Sequence, residues 1–312
     1  MTIPPENLPP NNENSMKAIT NFKKAAFTIT LFFSLFIFFA FTSGHKPSYR
    51  IYTGEGEETN YSQMVQQLLE ADVIFFGELH NNTISHWLQL ELTKDLYKAD
   101  SSALILGAEM FESDNQLVLN EYLSGLIRER DFEAGARLWP NHKTDYRPLV
   151  NFAVSNGVHF VATNIPRRYA ALVNLKGFEG LEELSSEAKS YIPPLPVPYD
   201  PDLPGYKAML AMGSPAMHSN DNLPKAQAIK DATMAWFIAQ NFSDGKRFLH
   251  FNGSYHSDNR EGIVWYLNHY HPDLKIMTIA TVEQEHLDSL NDAYSERADY
   301  ILVVDQNVTK TY

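Results

Sequence analysis

The stretch VIFFGELH, residues Val73–His80, passes from four apolar residues directly into Gly-Glu-Leu-His. A short apolar run of this kind is typical of a strand buried on both faces of a parallel sheet. Gly77 lets the backbone turn sharply as it leaves the sheet. Glu78 and His80 are two residues apart, so in an extended chain their side chains point to the same side. The stretch therefore predicts a polar site at the end of a buried strand.

The rest of the chain alternates between short apolar runs and longer stretches with helical periodicity. The predicted strands are Val73–Phe76, Ala103–Ala108, His159–Ala162, Arg247–Phe251, Lys275–Ala280 and Tyr300–Val304. The predicted helices are Thr83–Tyr97, Asp114–Leu126, Arg147–Ser155, Lys225–Asn241, Glu261–His269 and Glu283–Leu290. This alternation predicts an α/β fold with a mostly parallel central sheet that is flanked by helices.

Polar side chains follow four of the predicted strands at the point where each strand ends. They are Glu78 and His80, then Glu109, then Asn164 and Arg167, and finally His256. In parallel α/β sheets, ligands bind outside the carboxyl ends of the strands, so we expect these groups to converge on one rim. His80 and His256 each end a Gly-x-x-His sequence. Either one alone is explained as a capping or core histidine, whereas the two together indicate a site.

Glu109 directly follows the apolar run ALILGA, so its carboxylate lies at or just past the buried edge of the sheet. A carboxylate in such a place needs a partner or a ligand. One alternative is a functional site, and the other is a salt bridge with Arg167 or Arg168. Asn164 and Arg167 have a plain alternative as well, because both could cap and solvate the next helix.

A proline-rich segment interrupts the alternation of strands and helices. Tyr191–Tyr206 contains six prolines, so it is neither a helix nor a central strand. We interpret about residues 174–223 as an insertion outside the sheet, forming a lid or a small helical subdomain. The alternative is a surface loop that packs its own aromatic side chains.

Composition and the N-terminal sequence limit the class of protein. The formal net charge of −13 disfavours nucleic acid as a partner, and the absence of cysteine excludes disulfides, thiolate ligands and a thiol nucleophile. Residues 1–15 have the composition of a disordered segment, or precede a true start at Met16. Residues 16–44 are expected to be a signal peptide or signal anchor, because basic residues precede the apolar run Ala25–Phe41. We therefore expect export to the periplasm, or a membrane anchor with the protein facing outward.

Several segments, in order along the chain, resemble the ChaN family of haem-binding, iron-uptake proteins in the Tiki superfamily. They are VIFFGELHNNTISHWLQLEL, LILGAEMFESDNQ, FVATNIPRR, QAIKDATMAWFI and FLHFNGSYHSDNREGIVWYL, which span about Val73 to Leu267. The resemblance implies a ChaN-like α/β domain over residues 45–312 with a smaller helical subdomain, export and haem binding. Many ChaN relatives are lipoproteins, and this chain has no lipobox cysteine, so a lipid anchor is not implied.

Two functions follow from this resemblance. The first is a haem-binding protein of iron or haem acquisition, in which the insertion supplies an axial donor and an apolar wall. The haem-contact candidates are Tyr199, Tyr206, Met209, Met212, Met217 and His218, with Asn164 and Arg167 at the rim.

The second function is a metal-dependent hydrolase or peptidase, as in other Tiki proteins. Its catalytic groups and its ligands for zinc, manganese or iron would be Glu78, His80, Glu109 and His256. A structural polar network is the plain alternative for the rim. We take haem binding as the main hypothesis, with haem or another small molecule as partner and a homodimer as a further expectation.

Overall fold

An eight-stranded sheet forms the centre of the protein. The computed structural model describes residues 1–2, 46–212 and 222–312. The strands are β1 (Tyr49–Thr53), β2 (Glu58–Thr59), β3 (Val73–Glu78), β4 (Leu104–Glu112), β5 (His159–Asn164), β6 (Arg247–Gly253), β7 (Ile276–Gln284) and β8 (Tyr300–Asp305). Their spatial order is β2-β1-β8-β7-β3-β6-β4-β5.

Six neighbouring strands of this sheet, from β8 to β5, run parallel to one another. Beyond β8, strand β1 pairs antiparallel with β8, and β2 pairs antiparallel with β1 at the edge of the sheet. The carboxyl ends of the parallel strands therefore meet at one edge. This confirms the predicted α/β fold with a mostly parallel sheet, and it places the polar residues that follow the strands on a common rim.

Helices cover both faces of the sheet. They are α1 (Tyr61–Leu68), α2 (Thr83–Ala99), α3 (Gln116–Leu123), α4 (Glu129–Gly135), α5 (Arg147–Asn156), α6 (Arg167–Lys176), α7 (Ser186–Lys189), α8 (Pro204–Met212), α9 (Leu223–Asn241) and α10 (Ile263–Tyr270). Successive residues of β3 point to opposite faces. Ile74 and Phe76 pack with α1–α5, whereas Val73 and Phe75 pack with α6, α9 and α10. Both faces of β3 are buried, and this explains why its sequence is a continuous apolar run.

All six predicted strands are confirmed, and most of them extend further toward the rim than predicted. The predicted helix Glu283–Leu290 is wrong, because Glu283 and Gln284 continue β7 and pair with β8. The predicted helix Asp114–Leu126 begins with a 3-10 turn and ends earlier, at Leu123. The short strands β1 and β2 were not predicted from the sequence.

The described part of the predicted insertion packs against one face of the sheet. Leu181, Ile192, Val197 and Tyr206 are buried in the same core cluster as α9. This part of the chain therefore covers core side chains, and its removal would expose them to water. Met217 and His218 of the insertion fall outside the described residues.

The N-terminal predictions concern residues that lie almost entirely outside the described part of the chain. Met1–Pro47 and Ser48–Tyr312 are separate compact units. Of the first unit, the structure describes only residues 1–2 and 46–47, so the apolar run Ala25–Phe41 is not among the described residues. Within the ranges that are described, no helix has the length and apolar character needed to cross a membrane.

Candidate functional site

The strand order brings the sequence-predicted rim residues together. Strand β6 lies between β3 and β4, so the turn after β6 sits between the ends of the other two. Gly253 ends β6 in the middle of this group. A Cβ atom on Gly253 would lie 2.8 Å from His80 Nε2 and 3.6 Å from Glu109 Oε2. The side chains of His80 and Glu109 thus converge on one point, and only glycine leaves room for both.

Glu78 holds His80 in a fixed orientation. Glu78 is only 1% exposed. One carboxylate oxygen, Oε1, is 2.9 Å from His80 Nδ1 and accepts a 2.7 Å hydrogen bond from Tyr146 Oη. The other, Oε2, accepts a 2.5 Å hydrogen bond from Gln89 Nε2. These hydrogen bonds stabilise the buried carboxylate of Glu78, and the carboxylate in turn fixes the orientation of the His80 ring.

His80 presents its other ring nitrogen to the rim. Its side chain is 35% exposed, and Nε2 makes no hydrogen bond to any residue that the structure describes. The ring lies edge-on to Trp139, with centroids 4.9 Å apart. Burial alone lowers the pKa of His80, but the hydrogen bond to Glu78 and the charge of Glu109 outweigh it, so the pKa is raised. His80 is therefore an oriented, solvent-reachable nitrogen base.

His256 lies between two buried carboxylates. Its Nε2 is 3.2 Å from Glu109 Oε1 and its Nδ1 is 2.5 Å from Asp231 Oδ1, and all three residues are less than 10% exposed. Burial lowers the pKa of His256, but the two carboxylates overcome this effect and raise the pKa to about 10. Burial raises the pKa of Glu109, but His256, His80 and the Gly253 N–H together lower it well below its ordinary range. His256 is thus a buried imidazolium.

The structure corrects the alternative that Glu109 forms a salt bridge with Arg167 or Arg168. Glu109 pairs with His256 and accepts a 2.8 Å hydrogen bond from the Gly253 N–H. Arg168 instead pairs with Asp114 at 2.6 Å. Arg167 is exposed at the first position of α6.

Asn164 supports the rim through backbone contacts. Its Nδ2 donates to the Glu109 carbonyl at 2.9 Å, and its Oδ1 accepts from the Ile165 N–H. The side chain thus joins the ends of β4 and β5. This arrangement agrees with the plain structural alternative, in which Asn164 organises the chain after its strand.

The haem-contact candidates of the insertion have varied surroundings. Tyr206 is 3% exposed, and its hydroxyl donates to Asp231 Oδ2 at 3.0 Å, so it supports the His256 site from the core. Tyr199 lies between the rings of Phe178 and Tyr206. Met209 is partly buried against the same core cluster. The side chain of Met212, like all of Met217 and His218, is outside the described set.

The rim side chains form two histidine–carboxylate pairs. Across residues 1–2, 46–212 and 222–312, no group of three or more His, Cys, Asp or Glu side chains is arranged to hold a metal ion. Glu78 accepts hydrogen bonds from Tyr146 and Gln89 as well as pairing with His80. The geometry therefore gives no support to the prediction that Glu78, His80, Glu109 and His256 share one divalent ion, and that prediction stays open.

Several partners of the rim residues were missed in the sequence, among them Gln227 of α9, whose Nε2 lies 3.0 Å from His256 Nδ1. Asp231 lies in α9, Tyr146 ends a single π-helical turn, and Gln89 lies in α2. Asp231 did leave a signal, because it is a charged residue among the buried alanines of α9, where a carboxylate needs a partner. Nothing local marks Tyr146 or Gln89, which reach Glu78 only through the packing of helices on the sheet.

The two ion pairs predict a specific dependence of stability on pH. The raised pKa of His256 adds stability that is complete below its ordinary value of 6.5 and is lost as pH rises toward 10. The lowered pKa of Glu109 adds stability that is complete above its ordinary value of 4.5 and is lost as pH falls. The free energy of unfolding, measured in urea at a series of pH values, should decline from pH 6.5 to 10, and less steeply in His256→Gln. Equal slopes in the two proteins would contradict the assignment.

The family model described as haem-binding uptake, Tiki superfamily, ChaN matches residues 64–267. The chloroplastic protein RETICULATA-RELATED 5 of Arabidopsis thaliana is 26% identical over 196 residues, which are 58% of this chain and 26% of that protein. The chain thus spans about a quarter of the length of this curated relative.

Solved structures with the same fold include the ChaN protein of Campylobacter jejuni, solved for its cofacial haem binding. It is 19% identical, with a TM-score of 0.64, over 83% of this chain and 98% of that chain. A mutant of the erythromycin esterase EreC in its open conformation is 10% identical over 83% of this chain and 99% of that chain, with a TM-score of 0.49. Since the family model covers more than half of the sequence, we conclude that the protein belongs to the ChaN family of haem-binding uptake proteins in the Tiki superfamily.

Proposed function

We propose that this protein binds haem at the rim and serves in haem or iron acquisition after export. The observation that carries the proposal is the state of His80. Its Nδ1 is held by a buried carboxylate, while its Nε2 faces the rim without a protein partner in the described residues. Histidines that ligate metals are commonly oriented by a carboxylate on the other ring nitrogen. Haem iron accepts an axial donor of this kind.

The described residues also include exposed apolar side chains of the kind that contact haem. Leu210 on α8, Leu223 at the start of α9 and Tyr255 after β6 are 45%, 36% and 41% exposed. Tyr255 directly precedes His256 at the rim, and its hydroxyl donates to the Gly205 carbonyl of α8, the helix that carries Leu210. The residues present therefore fit haem, with His80 as the axial donor.

Tyr206, a haem-ligand candidate from the sequence, fits this role less well than His80. Its hydroxyl already donates to Asp231, and burial and the nearby Asp231 charge raise its pKa, so the phenolate that would bind ferric iron is disfavoured. Arg167 is exposed at the rim and available to a propionate carboxylate. Family membership and the shared fold with the haem-binding Campylobacter jejuni ChaN support the same function.

A haem titration tests this proposal directly. Purified residues 46–312 should develop a saturable Soret band on addition of ferric haem, with a spectrum of a nitrogen-ligated iron. Serum albumin at the same concentration serves as a positive control, and unfolded protein in urea as a negative one. A spectrum that remains that of free haem in buffer at all protein concentrations would overturn the proposal.

A second candidate function is hydrolysis at the same rim. It is favoured by the two histidine–carboxylate pairs with perturbed pKa values, which are typical of acid–base sites. His80 would accept the proton of an attacking water through Nε2, because this nitrogen is exposed and oriented. Turnover of a fluorogenic ester or peptide panel, lost in His80→Gln, would support this function. No turnover across the panel, together with tight haem binding, would leave haem binding as the function.

Export is the part of the proposal that depends on the N-terminal sequence. We expect residues 16–60, fused to a reporter that is active only outside the cytoplasm, to give reporter activity, because basic residues precede the apolar run Ala25–Phe41. A fusion of residues 46–60 alone is the control and should stay inactive. Reporter activity that is equal in the two fusions would contradict the predicted signal.

A further inference from the structure

The segment 309–312 runs alongside the loop that carries the rim histidine out of β3. The Thr311 N–H donates to the Asn81 carbonyl at 3.0 Å, and Thr83 Oγ1 donates to the Thr309 carbonyl at 3.1 Å. These contacts fall on residues that directly follow the rim histidine in sequence. The backbone of this segment is therefore held beside the site and does not extend freely into solvent.

Side-chain contacts to the end of β7 hold the same segment in place. Lys310 and Asn82 form an isolated antiparallel bridge. The Lys310 ammonium and the Asn82 amide both donate to the same carboxylate oxygen, Oε1 of Glu283 at the end of β7. Backbone and side chains together give residues 309–311 a defined position at the rim.

Tyr312 directly follows Thr311, whose N–H donates to the carbonyl of the residue after His80. The side chain is 68% exposed, yet the charges of Glu78 and Asp145, both almost fully buried, act on it and, together with burial, raise its pKa. Glu78 Oε1 lies 2.9 Å from His80 Nδ1. Tyr312 is thus an exposed aromatic residue, and the backbone that precedes it is anchored to the residue that follows the rim histidine.

We infer that Tyr312 contacts the planar ligand bound at His80, and that residues 309–312 form one wall of its binding site. This inference rests on the proposed haem-binding function. An aromatic ring on a held backbone offers a large apolar surface and loses little conformational freedom on binding. Trp139, edge-on to His80, supplies a second aromatic surface at the same histidine.

Two variants of Tyr312 test the inference in residues 46–312. Tyr312→Ala should weaken haem binding by roughly five- to tenfold in the Soret titration, whereas Tyr312→Phe should keep most of the affinity, because the contact is made by the ring face. Leu126→Ala, which removes an equally exposed apolar side chain away from the rim (77% exposed), is the matched control and should bind like the parent protein. Equal affinity of Tyr312→Ala and the parent would overturn the inference.

A second measurement needs no haem and separates this inference from the proposed function. Diethyl pyrocarbonate modifies accessible histidines, and the rate at His80 is read by peptide mass spectrometry. If the ring lies against the site as inferred, it shields His80, and the rate should rise at least about twofold in Tyr312→Ala and stay unchanged in Tyr312→Phe. The exposed His286 provides the internal control. If the parent protein binds no haem, the proposed function fails. An unchanged rate of His80 modification in Tyr312→Ala would then refute the inference that residues 309–312 form a wall of the site, and a raised rate would support that inference.

Discussion

Replacing His80 by alanine should lower the affinity for haem by roughly 100-fold or more, because the variant loses a rim nitrogen that is oriented and makes no hydrogen bond within residues 46–212 and 222–312. In the parent protein, Glu78 holds Nδ1 at 2.9 Å and leaves Nε2 toward the rim. The affinity is measured by Soret titration of residues 46–312 at pH 8. The parent affinity should also fall as pH drops, because the raised pKa of His80 keeps a proton on the ring that competes with iron.

Two controls make this result specific. His286→Ala removes an exposed histidine elsewhere and should leave the affinity unchanged. Added imidazole should restore a nitrogen-ligated spectrum to His80→Ala, since the small ring can occupy the vacated space, and circular dichroism should show that the variant is folded. A Soret band of undiminished affinity in His80→Ala would move the axial donor elsewhere, and replacing residues 213–221 by a Gly/Ser linker would then test Met217 and His218.

The second large effect is expected in stability. Asp231→Ala should reduce the free energy of unfolding by about 3–5 kcal/mol, because it removes one of the two buried carboxylates that hold the buried imidazolium of His256. Asp231 is 1% exposed, lies 2.5 Å from His256 Nδ1 and accepts a 3.0 Å hydrogen bond from Tyr206 Oη. The substitution therefore removes the carboxylate that faces both His256 Nδ1 and the Tyr206 hydroxyl, while Glu109 still faces His256 Nε2. Urea unfolding at pH 7, followed by circular dichroism, measures the loss.

Asp244→Ala is the matched control for this prediction. Asp244 is exposed in the turn between α9 and β6, and its removal should change the free energy of unfolding by less than about 0.5 kcal/mol. Tyr206→Phe should show an intermediate loss of about 1–2 kcal/mol, since it removes only the hydrogen bond to Asp231. If Asp231→Ala unfolds with the same free energy as Asp244→Ala, His256 is not held as a buried cation.

Because residues of the insertion are buried in the core, deleting the whole insertion does not isolate its role in haem binding. Deleting residues 174–223 as a whole would remove Leu181, Ile192 and Tyr206 from the core cluster that they share with α9. A loss of haem binding after such a deletion would then reflect loss of the fold as much as loss of a ligand. Single substitutions at the rim and in residues 213–221 avoid this problem, because the contacts that stabilise the core stay in place.

Local pattern in the sequence was enough to determine the six parallel strands, the sheet type and half of the rim. A strand buried on both faces must be apolar along its whole length, and this requirement is visible in VIFFGE without knowledge of its neighbours. The rim positions of Glu78, His80, Glu109 and His256 followed from the rule that parallel strands end at one edge. The prediction failed at Glu283–Leu290, where the apolar spacing is also compatible with the end of a strand and a turn.

Only the tertiary structure decided which groups pair at the rim. The order of the strands places β6 between β3 and β4, and this sets His256 against Glu109, whereas the sequence had left a salt bridge of Glu109 with Arg167 or Arg168 as an alternative to a site. Asp231 on α9 and Tyr146 in the π-helical turn reach His256 and Glu78 across 25 and 68 residues of chain. Contacts between residues so far apart depend on how helices pack on the sheet, and local propensity and spacing carry no information about that packing.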